Sequence, residues 1–373
     1  MISKKRFCFA AILIPILLMS NALFSQTDSA SSEEEDFSQY ENVENIGNAK
    51  FYCSPKIFDL SPNRFISIGY DYIFNTKLST SPLGSYSEND TISLGRSSNV
   101  ASRGLRLNVN IPVISKTNLL WQLGGGYNQA KFISNGIQSQ SFDDHAKILS
   151  ELTQGLKTIN INTTIFKPLN EKKFIIFQGM IENCGTYTYS DLPELANTRT
   201  SATLIYGKRP HDRLQWGIGL SRTYRAGELN YIPVVMYNYT AQNRKWGTEI
   251  LFPARAAYRR TFSSRSILLC GYELEGSTYR INLPNSSVPP IGNNLELRRS
   301  EIRIKLDYQR QLKNFIWVGI QCGLRQNYSF NVDDLGNSNK DFFRGFVGTQ
   351  KYAMVNQLGA APYINFSINL VSP

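Results

Sequence analysis

The sequence predicts an all-β protein, a closed antiparallel transmembrane β-barrel of about fourteen strands. Three observations predict it. Apolar and polar residues alternate with period 2 in segments of about ten residues, a pattern a strand can use and a helix cannot. The polar faces of these segments carry full charges and amides, not the Ser/Thr mix of a solvated sheet. The connections alternate between short and long, as at the two ends of an outer-membrane barrel.

The chain begins with a processing signal. Lys4, Lys5 and Arg6 form a basic region, and Phe7 to Met19 an apolar one. Cleavage sites fit after Ser20-Asn21-Ala22 or before Gln26, so residues 1–25 read as a secretory signal peptide. No cysteine follows the apolar region closely, which argues against a lipoprotein. Residues 26–48 hold Asp28, Glu33, Glu34, Glu35, Asp36, Glu41 and Glu44, and neither Lys nor Arg. They cannot bury a core and read as an acidic disordered leader. Residues 49–373, read as one barrel domain, then hold 37 basic and 22 acidic groups, net +15. Export argues against nucleic acid as the partner. Anionic headgroups or an anion-lined pore suit that charge better. After residue 25 no apolar run approaches the roughly 18–20 residues of a membrane helix.

Within the barrel the elements follow in order. Ile66, Ile68, Tyr70, Tyr72 and Phe74 share one face of the first strand, with Ser67, Gly69 and Asp71 between them. Leu105 to Val113 alternate with Arg106, Asn108 and Asn110. Ile159, Ile161 and Ile165 alternate with Asn160, Asn162 and Thr164. Ile302, Ile304, Leu306 and Tyr308 alternate with Arg303, Lys305, Asp307 and Gln309. The chain ends on Ile364, Phe366, Ile368 and Leu370 against Asn365, Ser367 and Asn369.

Strands fall near 64–75, 101–113, 118–132, 154–167, 173–187, 199–208, 213–225, 230–240, 265–281, 296–310, 314–329 and 360–371. The stretch 245–262 contains Pro253, which suits a turn at Phe252–Arg255 and not a paired strand. Splitting it there gives fourteen strands; twelve is the alternative. An even count keeps both termini in the periplasm. Residues 50–58 read as an extra segment or a periplasmic stub. Short periplasmic turns are expected at 115–118, 170–173, 210–213, 241–245, 263–265 and 313–314. Longer external loops are expected at about 76–100, 133–152, 188–198, 282–295 and 331–358. Trp121, Trp216, Trp246 and Trp317 each follow a short turn closely and mark one membrane interface. The first three share parity with apolar neighbours; Trp317 points inward.

The charged inward faces are the best functional pointer. Arg106, Arg303, Lys305, Asp307 and Arg325 are the lumen-lining candidates, with Glu273, Glu275, Arg255 and Arg259 as further members. Such side chains either line a net basic, anion-preferring pore or pair with one another and plug a closed barrel. His145 and His211 both fall in connections, where solvation is the expected role, and neither has an obvious Ser partner for hydrolysis. Asp143-Asp144-His145 lacks a complete cation ligand set. Gly124-Gly125-Gly126 relieves crowding or marks a bend within a strand. No catalytic residue, metal site or cofactor is assigned. Cys53, Cys184, Cys270 and Cys322 fit no zinc spacing; three lie in strands and read as wall residues, although export permits disulfides.

Tyr224 to Pro233, then Trp246-Gly-Thr-Glu-Ile-Leu-Phe-Pro253 to Tyr258, and Gly271-Tyr-Glu-Leu-Glu-Gly276 with Tyr279-Arg280, resemble an uncharacterised outer-membrane β-barrel family, a domain of unknown function common in Bacteroidota. The resemblance runs from about residue 50 and implies fold and location, with no catalytic residues to carry over. Barrel assembly signals usually end on an aromatic residue, whereas this chain ends Leu370-Val371-Ser372-Pro373, leaving Phe366 to serve. The expected partners are outer-membrane lipids, the barrel assembly machinery and small solutes or anions. The expected role is a passive channel or transport-associated barrel. A structural or adhesive barrel with partner-binding loops is the alternative, and a lipid-modifying enzyme the least favoured reading.

Overall fold

The computed structural model describes residues 52–84, 96–134, 144–186, 198–224, 229–281, 295–334 and 352–371. The expected signal peptide and leader lie outside the described residues. Lys50–Pro373 forms one compact unit. Its strands are β1 (Arg64–Thr80), β2 (Arg96–Lys116), β3 (Leu119–Ser134), β4 (Leu156–Pro168), β5 (Lys173–Gly185), β6 (Thr198–His211), β7 (Leu214–Thr223) and β8 (Asn230–Thr240). They continue as β9 (Trp246–Phe252), β10 (Arg255–Ser263), β11 (Ser266–Ile281), β12 (Leu295–Lys313), β13 (Ile316–Asp334), β14 (Asn356–Leu358) and β15 (Ala361–Val371). One helix, α1 (Asp144–Gln154), lies between β3 and β4.

Each of β2 to β12 pairs antiparallel with the next in sequence, β13 pairs with β15, and β15 with β1. The ring closes through β1–β2, where Ile68 faces Leu107 on one side and Ile368 on the other. Fourteen strands therefore make the cylinder; β14 only extends the edge of β1. The split at Phe252–Arg255 stands as expected, with a cis Phe252–Pro253 peptide in the turn. Closure leaves no unpaired edge, which is what allows strands to cross hydrocarbon.

The alternation fixes inside and outside. Ile68, Ile111, Ile161, Ile181, Leu204, Ile218, Ile304 and Ile320 all point out, and Ile161 is 66% exposed. Large exposed apolar groups on strand after strand form a belt of the kind a lipid-facing wall carries. The odd-numbered partners on β12, β13 and β15 point in and are mostly polar.

Several elements exceed the sequence expectation. β1, β2, β12 and β13 extend further toward the long-loop end than the alternation indicated. There β12 is buried on both faces from Leu295 to Glu301, so period 2 disappears. α1 replaces part of the expected loop 133–152. Its Ile148, Leu149 and Leu152 enter a core with Leu78, Val100, Phe132, Leu297, Phe330 and Met354. Gly155, at φ +98°, ends the helix with its N–H 3.4 Å from the Glu151 carbonyl. Tyr352–Val355, from the expected loop 331–358, is buried, and Met354 bridges Val332 in the same core. This apolar core fills the long-loop end between β1–β5 and β11–β13. At that end β11 also touches β5 through Arg280 and Gly185, leaving the shorter β9 and β10 below the junction.

Candidate functional site

Below that core the inward charges of β1, β2, β11, β12 and β13 converge. Arg106 donates from Nε to Asp71 and from Nη2 to both oxygens of Glu275, at 2.7 and 2.8 Å. Arg303 reaches Asp71 Oδ2 at 3.1 Å, Glu301 Oε1 at 2.7 Å and Glu275 Oε2 at 2.9 Å. Its guanidinium lies 5.2 Å from the Tyr363 ring centroid. Arg299 holds Glu301 Oε2 with two donors at 3.1 and 2.9 Å, and Arg325 Nε lies 3.9 Å from the same oxygen. Lys305 pairs with Glu273. Glu301, Arg303 and Arg325 are all but inaccessible. A small cavity opens beside Asp71, Arg106, Glu275, Arg299 and Arg303.

Four of the five lumen candidates from the sequence, Arg106, Arg303, Lys305 and Arg325, thus join one wall. The fifth, Asp307, sits nearer the short-turn end, accepting from Gln309 at 2.8 Å and facing Arg64 at 3.6 Å. The sequence expectation placed a basic excess in the lumen. In this cluster five cations meet four carboxylates, and each cation has a carboxylate neighbour, because a buried guanidinium needs a counter-charge. Sequence reasoning missed Arg299 and Glu301. They share the parity of Arg303 but lie where burial of both faces had erased the alternation. Of the further members, Arg259 is buried and donates to Glu249 at 2.6 Å and Thr240 at 2.7 Å, while Arg255 is exposed.

Beside the cluster, the inward faces of β2 and β4 carry amides. Gly124 and Gly126 leave space that the side chains of Asn108, Asn110, Asn160 and Asn162 occupy: a Cβ on Gly124 would lie 2.4 Å from Asn110 Oδ1. Thr203 and Ser221 share a hydrogen bond at 2.7 Å. Gln178 shares inward parity with the buried Phe174 and Glu182, yet it is exposed. The interior is therefore open to solvent at Gln178, while Glu301, Arg303 and Arg325 are dry.

At the short-turn end, residues 52–63 run across the mouth. Cys53 N–H donates to Asn170 O, Phe58 N–H to Asp212 O, and Thr240 Oγ1 to Phe58 O. Ser61 donates to Glu249 Oε1 from both N, at 3.0 Å, and Oγ, at 2.8 Å. Cys53 packs on inward Phe166, Phe174, Ile205, Val234 and Met236. Burial pushes the Cys53 thiol up and pulls the Lys56 ammonium down to about 8, with Glu249 opposing the latter and Arg259 assisting it. The expected stub is thus a strap laid into the barrel.

Other sequence expectations resolve as follows. His145 is not solvated. It is buried on α1, with Thr80 Oγ1 2.7 Å from Nδ1 and Ser98 Oγ 2.7 Å from Nε2, because the helix folds inward. It therefore has the Ser contact that the sequence did not reveal. Its other ring nitrogen, however, meets a threonine hydroxyl where a catalytic triad has a carboxylate. His211 is exposed in its turn. Trp216 is exposed outward, Trp121 donates to Thr163 at 2.8 Å, and Trp246 stacks on Tyr258. Trp317 is buried with Ile267 and Val371. The four cysteines among the described residues are free, Cys53 and Cys184 buried, Cys270 and Cys322 exposed.

A closed fourteen-stranded antiparallel cylinder, apolar outside and polar within, defines a transmembrane β-barrel. The chain belongs to the family described as Domain of unknown function (DUF6268), whose model matches residues 66–371. No curated protein matches it. Among solved structures it is similar to an outer membrane channel from Pseudomonas putida F1, with 11% identity, TM-score 0.36, and 86% of this chain and 98% of that one covered. A Pseudomonas aeruginosa FadL homologue gives 8% identity and TM-score 0.40, covering 86% and 100%. The Pseudomonas putida toluene transporter TodX gives 8% and 0.32, covering 84% and 90%.

Proposed function

We propose that the protein is an outer-membrane barrel that serves as a passive, transport-associated channel for small polar solutes, anions included. The observation that carries this reading is Gln178, inward on the middle of β5 and open to solvent. Fourteen strands enclose more space than inward side chains fill. The amide-lined strip of Asn108, Asn110, Asn160, Asn162 and Gln178 is the path a solute would take, with the charged cluster beside it. No step of covalent chemistry belongs to this reading.

In this reading the short turns face the periplasm and the long connections face outward. Residues 1–25 direct export, residues 26–48 are an acidic leader, and β15 is the strand offered to the barrel assembly machinery. A second reading, a closed structural or adhesive barrel, is favoured by the apolar core at one end and the strap at the other. Planar-bilayer recording of the purified full-length protein separates the two. Stepwise ion-selective current supports the channel, and persistent silence at all voltages supports the closed barrel.

A further inference from the structure

Part of the basic excess of residues 49–373 lies at the short turns. Each of the six short turns carries or adjoins an exposed Lys or Arg. Four of these bases lie on the outward face, in line with the apolar belt: Lys167 on β4, Lys208 on β6, Arg260 on β10 and Arg310 on β12. Each follows an outward apolar or aromatic residue by two positions, respectively Ile165, Tyr206, Tyr258 and Tyr308. All four are exposed, and all lie within a few residues of a short turn. The nearby carboxylates do not oppose them from that face: Glu249 and Asp307 turn inward, and Glu171 and Asp212 sit in the turns themselves.

Two of the bases are matched to tryptophans across strands. Lys208 is the register partner of Trp216, its Nζ 5.9 Å from the ring centroid. Arg260 is the register partner of Trp246, which stacks on Tyr258 and packs against Tyr239. Tryptophan settles at the headgroup level of a bilayer. A base beside it is thereby placed at phosphate depth, where Lys offers a point charge and Arg a two-donor fork.

We infer that this aromatic–basic girdle binds anionic phospholipid headgroups in the leaflet at the short-turn end, in preference to zwitterionic ones. Coulomb attraction at a membrane surface gives about fivefold enrichment per neighbouring base. The occupant is lipid and not an acidic protein, because the bases continue the lipid-facing rows of the strands and lie beside the interfacial tryptophans.

The test uses full-length protein in phosphatidylcholine vesicles containing a minority of phosphatidylglycerol, with one of the two lipids brominated. In a Trp121→Phe, Trp317→Phe background, tryptophan quenching reports the local lipid at Trp216 and Trp246. Brominated phosphatidylglycerol is expected to quench several-fold beyond its bulk share, and this excess is expected to vanish in the Lys167→Gln, Lys208→Gln, Arg260→Gln, Arg310→Gln variant. The pair Lys208→Gln, Arg260→Gln, flanking the two tryptophans, serves if the fourfold variant does not insert. Quenching that follows bulk composition, or an excess that survives both variants, overturns the inference.

Discussion

Arg106 of β2 and Glu275 of β11 are bonded to each other inside the barrel, the two oxygens of one carboxylate at 2.7 and 2.8 Å from one guanidinium nitrogen. The strands are not neighbours in the sheet; β1, β15, β13 and β12 stand between them. The bond therefore ties one arc of the wall across the lumen, and Arg303 shares the same carboxylate. Glu275→Gln removes a charge from between the buried Arg303 and the half-buried Arg106. Breaking one partner of a fully buried pair costs about 3–5 kcal/mol, and partial exposure of Glu275 reduces that. The expected result is a lowered urea midpoint for unfolding from vesicles, with larger loss than for Arg255→Gln, whose side chain is exposed.

The glycine triplet of β3 offers a contrast within three residues. A methyl group on Gly124 would meet Asn110 Oδ1 at 2.4 Å and Asn162 Oδ1 at 2.5 Å, whereas one on Gly125 meets only Asn160 O at 3.6 Å. Gly124→Ala must displace two packed amides and is expected to cost about 1–3 kcal/mol. Gly125→Ala is expected to be neutral or to stabilise by about 0.5 kcal/mol through reduced chain entropy. The same unfolding measurement compares them.

Solvent access at Gln178 predicts conductance. Gln178→Trp should narrow the solvated strip and reduce single-channel current by roughly half, in proportion to the section it occupies. Phe177→Trp, one residue away and facing outward, should leave the current unchanged. Planar-bilayer recording of both variants checks this, and equal currents would remove β5 from the path.

The strap carries its own pH dependence. Docked Lys56 loses its proton near 8, while an undocked, solvated lysine keeps it to 10.5. Below about 8 both forms are charged and burial opposes docking in full. Between about 8 and 10.5 the undocked form binds more protons, so docking strengthens as pH rises. Protection of residues 52–63 from limited proteolysis should increase across that window. In Lys56→Met with Cys53→Ser, which removes the thiol that burial shifts the opposite way, the protection should be pH-independent across that window.

The barrel was legible because its signal is repeated around the whole wall. One apolar face per strand gives period 2 at Ile159–Ile165 as at Ile364–Leu370, and Pro253 marks the turn that makes the count even. What escaped were places where that rule is suspended. On β12, Arg299 and Glu301 lie where both faces are covered, so no alternation announces them. α1 carries apolar residues at 148, 149 and 152, the i, i+1, i+4 set of a buried helical stripe, but it spans only about three turns and is set between two strong strands. The strap at 52–63 has no periodicity at all, since backbone groups hold it. The charged side chains were visible by parity, while their partners were not, because Asp71, Arg106 and Glu275 are joined only by closure of the ring.

Closure with the apolar face outward also decides how two thiols react. Cys270 and Cys322 are exposed on the outer wall, each the register neighbour of Leu306, itself 43% exposed. In a bilayer that surface meets hydrocarbon, which a charged reagent does not enter. A membrane-impermeant maleimide should therefore leave both unlabelled in folded, vesicle-inserted protein, while an apolar maleimide labels them and urea exposes them to either reagent. Cys53 and Cys184 are buried and should resist both reagents until the barrel unfolds. Rapid labelling of Cys270 or Cys322 by the charged reagent in intact vesicles would mean that water, not lipid, bathes the apolar belt.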